Sequence, residues 1–278
     1  MGNRYGIPRY LYTKPLTYGL EQGSQKVDLF TDLSSQNALR LKSRELDAAL
    51  LSPIDYARNS DEYLVVPNIC VSSTGNHTIL LHFREGLRKI NTIAADIGLT
   101  SELVLAKILL VEKYDTNPQF IPIAPSKTLA SSPDVAAMMA KADAALLVGG
   151  PILFSSLDTK CTIDLVEEWS DLTGLPYVHA IWLSHRDSLT PSKAYLLKQS
   201  CDEGLRHLHD IAVAASRAGQ GTPKECESYL ESFNFNLDEE TIESLSEFYR
   251  YAFYHGILGE VPEIRFFPPE LEPDIPIN

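Results

Sequence analysis

The sequence predicts an α/β fold with two lobes, a central cleft and a helical C-terminal region. Three observations support this prediction. Short apolar runs alternate with helix-length stretches from Tyr5 to Pro53, and a second series of this kind begins at Ile90. After Trp182 helical spacing dominates. With 278 residues, the chain is long enough for two medium-sized cores.

The first series predicts three strands, each followed by a helix, which is typical of a parallel sheet. Ser34 or Ser35 is expected to cap the second helix. Ser52 followed by Pro53 is typical of an N-cap residue and the first position of the third helix. The predicted strands are Tyr5 to Tyr12, Val27 to Thr31 and Leu46 to Leu51, and the predicted helices are Pro15 to Leu20, Ser34 to Arg44 and one that starts at Pro53.

The second series starts after two strands that flank Gly75-Asn76. Thr100-Ser101 precedes a strongly apolar helix, and a later strand ends at Gly149-Gly150. The predicted strands are Tyr63 to Ser73, Thr78 to Phe83, Ile90 to Ala94, Phe120 to Ile123 and Ala144 to Val148, and the predicted helices are Leu103 to Val111 and Asp134 to Lys141.

The stretch from Asp164 to Leu183 predicts a helix, a stop and a buried strand. Gly174 is expected to end the helix, and Pro176 directs the chain into an extended segment from Tyr177 to Trp182. Beyond it, helices are predicted from Pro191 to Ala218 and from Asp238 to Tyr254. The helical region could pack a homodimer or cover the first lobe's own sheet.

Composition excludes several classes of function. A net charge of −13 argues against nucleic-acid and acidic-membrane partners, which require a concentrated basic face. The four cysteines are scattered without a C-x-x-C pair, so neither a metal site nor a disulfide framework is expected. The sequence also contains no run long enough for a membrane span and no apolar leader, so we expect a cytoplasmic location.

Four corners of the predicted fold are candidates for binding an anion. They are Ser34-Ser35, Ser52-Pro53, Thr100-Ser101 and Gly149-Gly150, each at the carboxyl end of a strand or the start of a helix. Unpaired backbone N–H groups at such corners suit a carboxylate without net positive charge. Arg9, on the first strand, is a further candidate to pair with a carboxylate.

Several segments, in this order and spacing, resemble the menaquinone-biosynthesis family that contains chorismate dehydratase. They are YLYTKPLTYGL from Tyr10, LDAALLSPIDYA from Leu46, LTSELVLAKILL from Leu99, ALLVGGPIL from Ala145 and DLVEEWSDLTGLPYVHAIWL from Asp164. The resemblance implies a type II periplasmic-binding-protein fold whose chain crosses twice between discontinuous lobes. The crossings are then expected near His82 and Ser184, with residues 1–82 and 182–278 in the first lobe and 83–181 in the second.

The resemblance also implies an activity. The family removes water from chorismate without a cofactor and gives 3-[(1-carboxyvinyl)oxy]benzoate, in the futalosine route to menaquinone. Ser34, Ser52, Thr100, Ser101 and the Gly149-Gly150 amides are the expected contacts of the substrate carboxylates. Aromatisation drives the reaction, so the protein mainly has to orient the substrate and assist one proton removal.

The chain departs from the family pattern at several pocket positions. Tyr12 stands where the family has an asparagine, Gly150 replaces an aspartate, and His179 replaces a phenylalanine. The family's serine falls on Thr78 or, one residue displaced, on His77, and either is a candidate for the reacting edge of the substrate. Tyr12 must either fill the cleft or turn away from it.

Two hypotheses follow from these departures. In the first, the pocket keeps chorismate and the changed side chains rebalance its hydrogen bonds. In the second, the protein is a diverged paralogue that binds or converts another small carboxylate, such as a solute-binding or sensor protein, with His77 or His179 as a base near neutral pH.

Overall fold

The computed structural model describes residues 3–23, 26–124, 134–151 and 157–268. Its strands are β1 (Asn3–Pro8), β2 (Val27–Asp32), β3 (Ala48–Leu51), β4 (Tyr63–Ser73), β5 (Ile79–Phe83), β6 (Thr92–Asp96), β7 (Gln119–Ile123), β8 (Ala144–Val148), β9 (Thr162–Asp164) and β10 (Tyr177–His185). Its helices are α1 (Lys14–Gln22), α2 (Ser34–Lys42), α3 (Pro53–Ala57), α4 (Ser101–Tyr114), α5 (Val135–Met139), α6 (Leu165–Thr173), α7 (Pro191–Arg206), α8 (Leu208–Arg217), α9 (Pro223–Glu231) and α10 (Glu239–Tyr254).

The strands form two five-stranded sheets, one in each lobe. The first has the order β2-β1-β3-β10-β4 and the second the order β7-β6-β8-β5-β9. In each sheet three strands are parallel, as the βα series predicts, and a fourth is inserted antiparallel to both of its neighbours. The parallel pairing predicted for the first series is therefore confirmed for β1, β2 and β3. The antiparallel strands are β10 and β5, which enter each sheet from the other lobe.

The crossings lie slightly away from their predicted places. The chain leaves the first sheet after Ser73 and enters the second at Ile79, and it returns to the first sheet at Tyr177. The boundary of 83–181 for the second lobe stays a prediction, but β5 pairs in the second sheet and all of β10 pairs in the first. Residues 269–278 of the predicted first lobe lie outside the described residues.

Asp164 joins the two crossings. Its Oδ2 accepts the backbone N–H groups of Asn76 at 3.0 Å and His77 at 2.7 Å, both in the first crossing. Its Oδ1 accepts the N–H of Val166 at 2.9 Å and so caps α6, which leads into the second crossing. One carboxylate therefore satisfies backbone donors from both connections.

Several predicted boundaries are confirmed by local geometry. Gly174 ends α6 in the left-handed region, with φ of 74°, and Ser52 is the N-cap residue of α3 with Pro53 at its first position. The long helix predicted from Pro191 to Ala218 is instead two helices, α7 and α8, which meet at His207. The N–H of His207 bonds to the carbonyl of Gly204, three residues before the break, at 3.1 Å.

The first strand also ends earlier than predicted. β1 stops at Pro8, and Leu11–Thr13 form a short 3₁₀ turn before α1. Proline lacks the N–H that would extend the ladder, and Thr13 Oγ1 donates to the carbonyl oxygens of Tyr10 and Pro8. Tyr12 therefore lies on a turn, not at the end of a strand.

The core joins the lobes. One cluster of buried residues runs from Leu51 and Ile54 through Leu81 and Leu105 to Trp169, without interruption between the sheets. The C-terminal helices α7, α8 and α9 cover the other face of the first sheet around Trp182 and Leu230, both fully buried.

Candidate active site

A cavity of about 460 Å³ lies between the lobes. It is bordered by the carboxyl ends of β1, β2, β6 and β8, through Pro8, Asp32, Asp96 and Val148. Open α/β sheets place their ligands at this edge. Tyr229, on α9, closes one side. A volume of this size accommodates a small organic molecule.

Charged groups line the cavity from both lobes. Arg9 comes from the first lobe, where its Nη2 contacts Asp32 Oδ1 at 3.3 Å and its Nε donates to Thr31 O at 3.3 Å. Lys141 lines the cavity from the second lobe. Acidic and basic side chains thus both line the cavity. Arg9 and Lys141 offer a bound anion one cationic partner from each lobe.

Ser34 lines the cavity, but it is not the helix cap that the sequence predicts. Leu33 is the N-cap residue of α2, and its carbonyl accepts the N–H groups of Gln36 and Asn37 at 3.0 Å. Ser34 is the first residue of the helix, and its hydroxyl is not used in capping. Asp32 Oδ1 accepts the N–H of Leu33 instead, at 2.9 Å.

Tyr229, Thr78 and Gly149 form a hydrogen-bonded group at the cavity wall. The Tyr229 hydroxyl donates to Gly149 O at 3.2 Å and lies 3.0 Å from Thr78 Oγ1. Since a phenol has one proton, the Thr78 hydroxyl donates to Tyr229 Oη. Thr78 is fully buried, so this candidate for the reacting edge reaches the cavity only through Tyr229.

The two glycines at the end of β8 differ from each other. The N–H of Gly149 is bonded to Thr78 O at 3.1 Å, so the geometry gives no support to the prediction that this amide binds a substrate carboxylate. Gly150 also lines the cavity, and a Cβ built on it meets nothing within 4 Å. The fold therefore has room for the aspartate side chain of the family pattern at this position.

Tyr12 fills the inner part of the cleft. Its side chain is almost fully buried, and its ring packs against Tyr10, Phe233 and His179 with centroid separations of 5.1, 5.3 and 5.6 Å. Beside it remains a space of only about 10 Å³, too small for an organic ligand. Tyr12 thus closes the inner cleft and leaves the outer cavity open. This lies between the two alternatives from the sequence, in which Tyr12 either fills the cleft or turns away from it.

The lobes contact each other directly at two predicted anion corners. Ser52 Oγ lies 3.0 Å from Thr100 Oγ1, and Ser101 Oγ accepts the N–H of Ile54 at 3.2 Å. Ser101 is 1% exposed and Ser52 is 4% exposed. The start of α4 is thus covered by protein, and the geometry gives no support to the prediction that its hydroxyls hold a carboxylate.

Glu102, which follows these two hydroxyls, borders the small inner space. Burial raises the pKa of its carboxyl to about 7, and the nearby charges of Asp55 and Asp96 act in the same direction. The backbone N–H of Thr100, at 3.2 Å, opposes the increase. Glu102 therefore exchanges a proton near neutral pH at the junction of the lobes.

The surroundings of His179 disfavour a charged imidazole. It lies in the aromatic cluster around Tyr12 and is 6% exposed, with one ring nitrogen 2.8 Å from Ser73 Oγ. Burial lowers the pKa of the imidazole to about 3, because the charged form would lose its hydration. This lowered pKa gives no support to the hypothesis that His179 supplies a base, although the residue borders the inner space.

His77 lines neither cavity. It belongs to the first crossing, where its backbone adopts φ of 58° and its Nδ1 lies 3.6 Å from Asp164 Oδ2. The structure therefore gives His77 a place at the connection between lobes, and its assignment to the reacting edge receives no support from the geometry.

Sequence reasoning missed Tyr229, Glu102 and Lys141. Tyr229 lies 151 residues from Thr78, in the helical region assigned to packing. Glu102 lies in the first turn of α4, where an acidic residue is common because it complements the helix dipole. Only the position of the lobes brings these side chains to the cleft. Within the described residues, no group of three or more potential ligands could hold a metal ion.

Two lobes with these sheets and a cavity between them define the periplasmic-binding-protein class of folds. A solved Archaeoglobus fulgidus protein matches with a TM-score of 0.73 and 15% identity, covering 92% of this chain and 98% of that one. A Candida albicans protein described as having the generic periplasmic-binding-protein fold matches with a TM-score of 0.67 and 14% identity, covering 98% and 99%.

The family follows from the sequence match. The chain belongs to the menaquinone-biosynthesis family, whose profile matches residues 4–254. A relative, the chorismate dehydratase of Thermus thermophilus, is 28% identical over 245 residues, which span 84% of this chain and 89% of the relative. The resemblance read from the sequence is thus confirmed at the level of fold and family.

Proposed function

We propose that this protein is a chorismate dehydratase, a hydro-lyase that converts chorismate to 3-[(1-carboxyvinyl)oxy]benzoate in the futalosine route of menaquinone biosynthesis. The observation that carries the proposal is that, among the residues the structure describes, all those that border the 460 Å³ cavity lie within the stretch that matches the family. The 28% identical relative named chorismate dehydratase supports the same activity.

The cavity suits the chemistry of this substrate. Chorismate carries two carboxylates on a compact ring, and Arg9 and Lys141 offer a cation from each lobe. Leu11, Leu146 and Val148 provide apolar wall for the ring. The ring carbon of chorismate that carries the ether oxygen becomes part of the aromatic ring of the product. The proton that is lost must therefore come from this ring carbon as the C4 hydroxyl departs.

We extend the proposal to a cytoplasmic location, which the cysteines support. All four cysteines are free, three of them buried, as expected in a reducing compartment. Among the described residues, no helix is long and apolar enough to cross a membrane. A homodimer built on the helical region stays part of the proposal.

The test is incubation of the purified full chain with chorismate, followed by mass spectrometry. The expected product is one water lighter than the substrate and has the absorption of a substituted benzoate. Folded protein that leaves chorismate unchanged would refute the proposal. Binding of another small carboxylate in that case would favour the diverged paralogue.

A further inference from the structure

We propose that Tyr229 is a catalytic residue of the dehydration, acting on both the leaving hydroxyl and the departing ring proton, with Thr78 as its positioning residue. This inference rests on the proposed function and assigns the chemistry of that same site. It comes from the position of the Tyr229 hydroxyl at the cavity wall and from its bond to Thr78.

The ring of Tyr229 is held firmly. It is 7% exposed and packs edge to face against Phe233, with centroids 5.0 Å apart and planes at 82°. The same Phe233 ring contacts Tyr12, so the aromatic cluster that closes the inner cleft also fixes Tyr229. Tyr229 and Gly149, whose carbonyl accepts the hydroxyl of Tyr229, both line the open cavity.

The hydrogen bonds leave this hydroxyl able to give and regain a proton. Its own proton points to Gly149 O over 3.2 Å, a long contact that a substrate hydroxyl can replace. The Thr78 hydroxyl donates to Tyr229 Oη from the other side, at 3.0 Å, and stabilises negative charge on that oxygen. Gly149 N–H in turn bonds to Thr78 O, which fixes the backbone of Thr78.

Burial also sets the resting state of the phenol. It raises the pKa of Tyr229 above its ordinary value; the bond from Thr78 opposes this effect, and the charge of Asp164 adds to it. Tyr229 is therefore protonated at neutral pH and is a proton donor before the reaction begins.

The proposed steps balance. As the C4–O bond breaks, Tyr229 Oη transfers its proton to the leaving oxygen, which departs as water, and Thr78 Oγ1–H donates to the phenolate. The phenolate then takes the proton from the ring carbon that carries the ether, the C–H electron pair completes the aromatic ring, and Tyr229 is neutral again. The ether and the hydroxyl of chorismate are trans on the ring. The proton on the ether-bearing carbon and the C4 hydroxyl therefore lie on the same face of the ring, and a single residue reaches both.

The experiment compares Tyr229→Phe with native protein and with Tyr251→Phe, a matched control whose ring packs on Trp169 away from the cavity. We expect kcat for chorismate to fall about 100-fold in Tyr229→Phe, within the usual range for proton-transfer groups. The Kd for the product, 3-[(1-carboxyvinyl)oxy]benzoate, should change less than about 3-fold by calorimetry. The control should retain native kcat.

Thr78 supplies an independent check. Thr78→Val removes the donor to Tyr229 Oη and should lower kcat about 10-fold, and Thr78→Ser should recover most of this loss because it restores the hydroxyl. A Tyr229→Phe variant with native kcat would overturn the inference while native turnover still supports the proposed function. Native protein without chorismate turnover would overturn both.

Discussion

Glu102 should make the stability of this protein fall as the pH rises. Its carboxyl is part-buried at the junction of the lobes, and burial raises its pKa from the ordinary 4.5 to about 7. The folded state therefore holds a proton that the unfolded chain has released. The stabilisation that this bound proton provides is complete below pH 4.5 and declines as the pH rises toward 7. Above pH 7 it is lost, and the stability no longer changes through this group.

The magnitude follows from the two pKa values. One unit of pKa corresponds to about 1.36 kcal/mol, so the increase in the pKa of Glu102 from 4.5 to about 7 sets an upper limit of about 3 kcal/mol. Solvent reaches part of the side chain, so we expect about 1–2 kcal/mol. Glu102→Gln keeps the shape and the oxygen that accepts from Thr100 N–H but removes the ionisation.

Urea unfolding at several pH values measures this effect. Glu102→Gln should match the native protein at about pH 4 and exceed its free energy of unfolding by about 1–2 kcal/mol at pH 8. Glu260→Gln, at an exposed position, is the control and should follow the native curve. If native protein and Glu102→Gln depend on pH identically, Glu102 does not carry a raised pKa and the reasoning is refuted.

Three further substitutions test packing, each by urea unfolding at pH 7. Gly204→Ala should cost at least about 2 kcal/mol, because a Cβ there would lie 2.0 Å from Pro15 O, where α7 crosses α1. Ser101→Ala should cost about 1–3 kcal/mol, since it leaves the buried N–H of Ile54 without its acceptor. Tyr12→Asn should cost about 3 kcal/mol by emptying the inner cleft. Two controls should stay within about 0.5 kcal/mol of native: Gly86→Ala, where an added Cβ meets nothing within 4 Å, and Tyr195→Asn, whose side chain is 52% exposed. Native-like stability of Gly204→Ala would contradict the close helix contact.

Local signals predicted much of the fold. A serine before Pro53 and a glycine at position 174 fix helix ends through backbone geometry, which depends only on nearby residues. The same reasoning failed at Ser34, because Leu33 takes the cap position after the Asp32 side chain bonds its N–H. A side-chain bond of that kind has no signature in hydrophobic spacing.

The candidate site was predicted less well because its members meet only through the arrangement of the lobes. Arg9 and Gly150 line the cavity, whereas the hydroxyls of Ser52 and Ser101 form contacts between the lobes. Nothing in the local sequence distinguishes a serine that meets a ligand from one that meets the opposite lobe. The place of Tyr229 at the cavity could be recognised only from the position in which α9 packs.

The place of β10 in the first sheet has a consequence for how the chain folds. β10 lies between β3 and β4, and its Trp182 pairs with Leu50 across a long stretch of sequence. All strands of the second sheet, by contrast, come from one continuous segment between Ile79 and Asp164. Closing a long loop costs entropy, and sheets with distant pairings form slowly. We therefore expect the second sheet to form first during synthesis, while the first stays split into two parts until β10 leaves the ribosome and joins them.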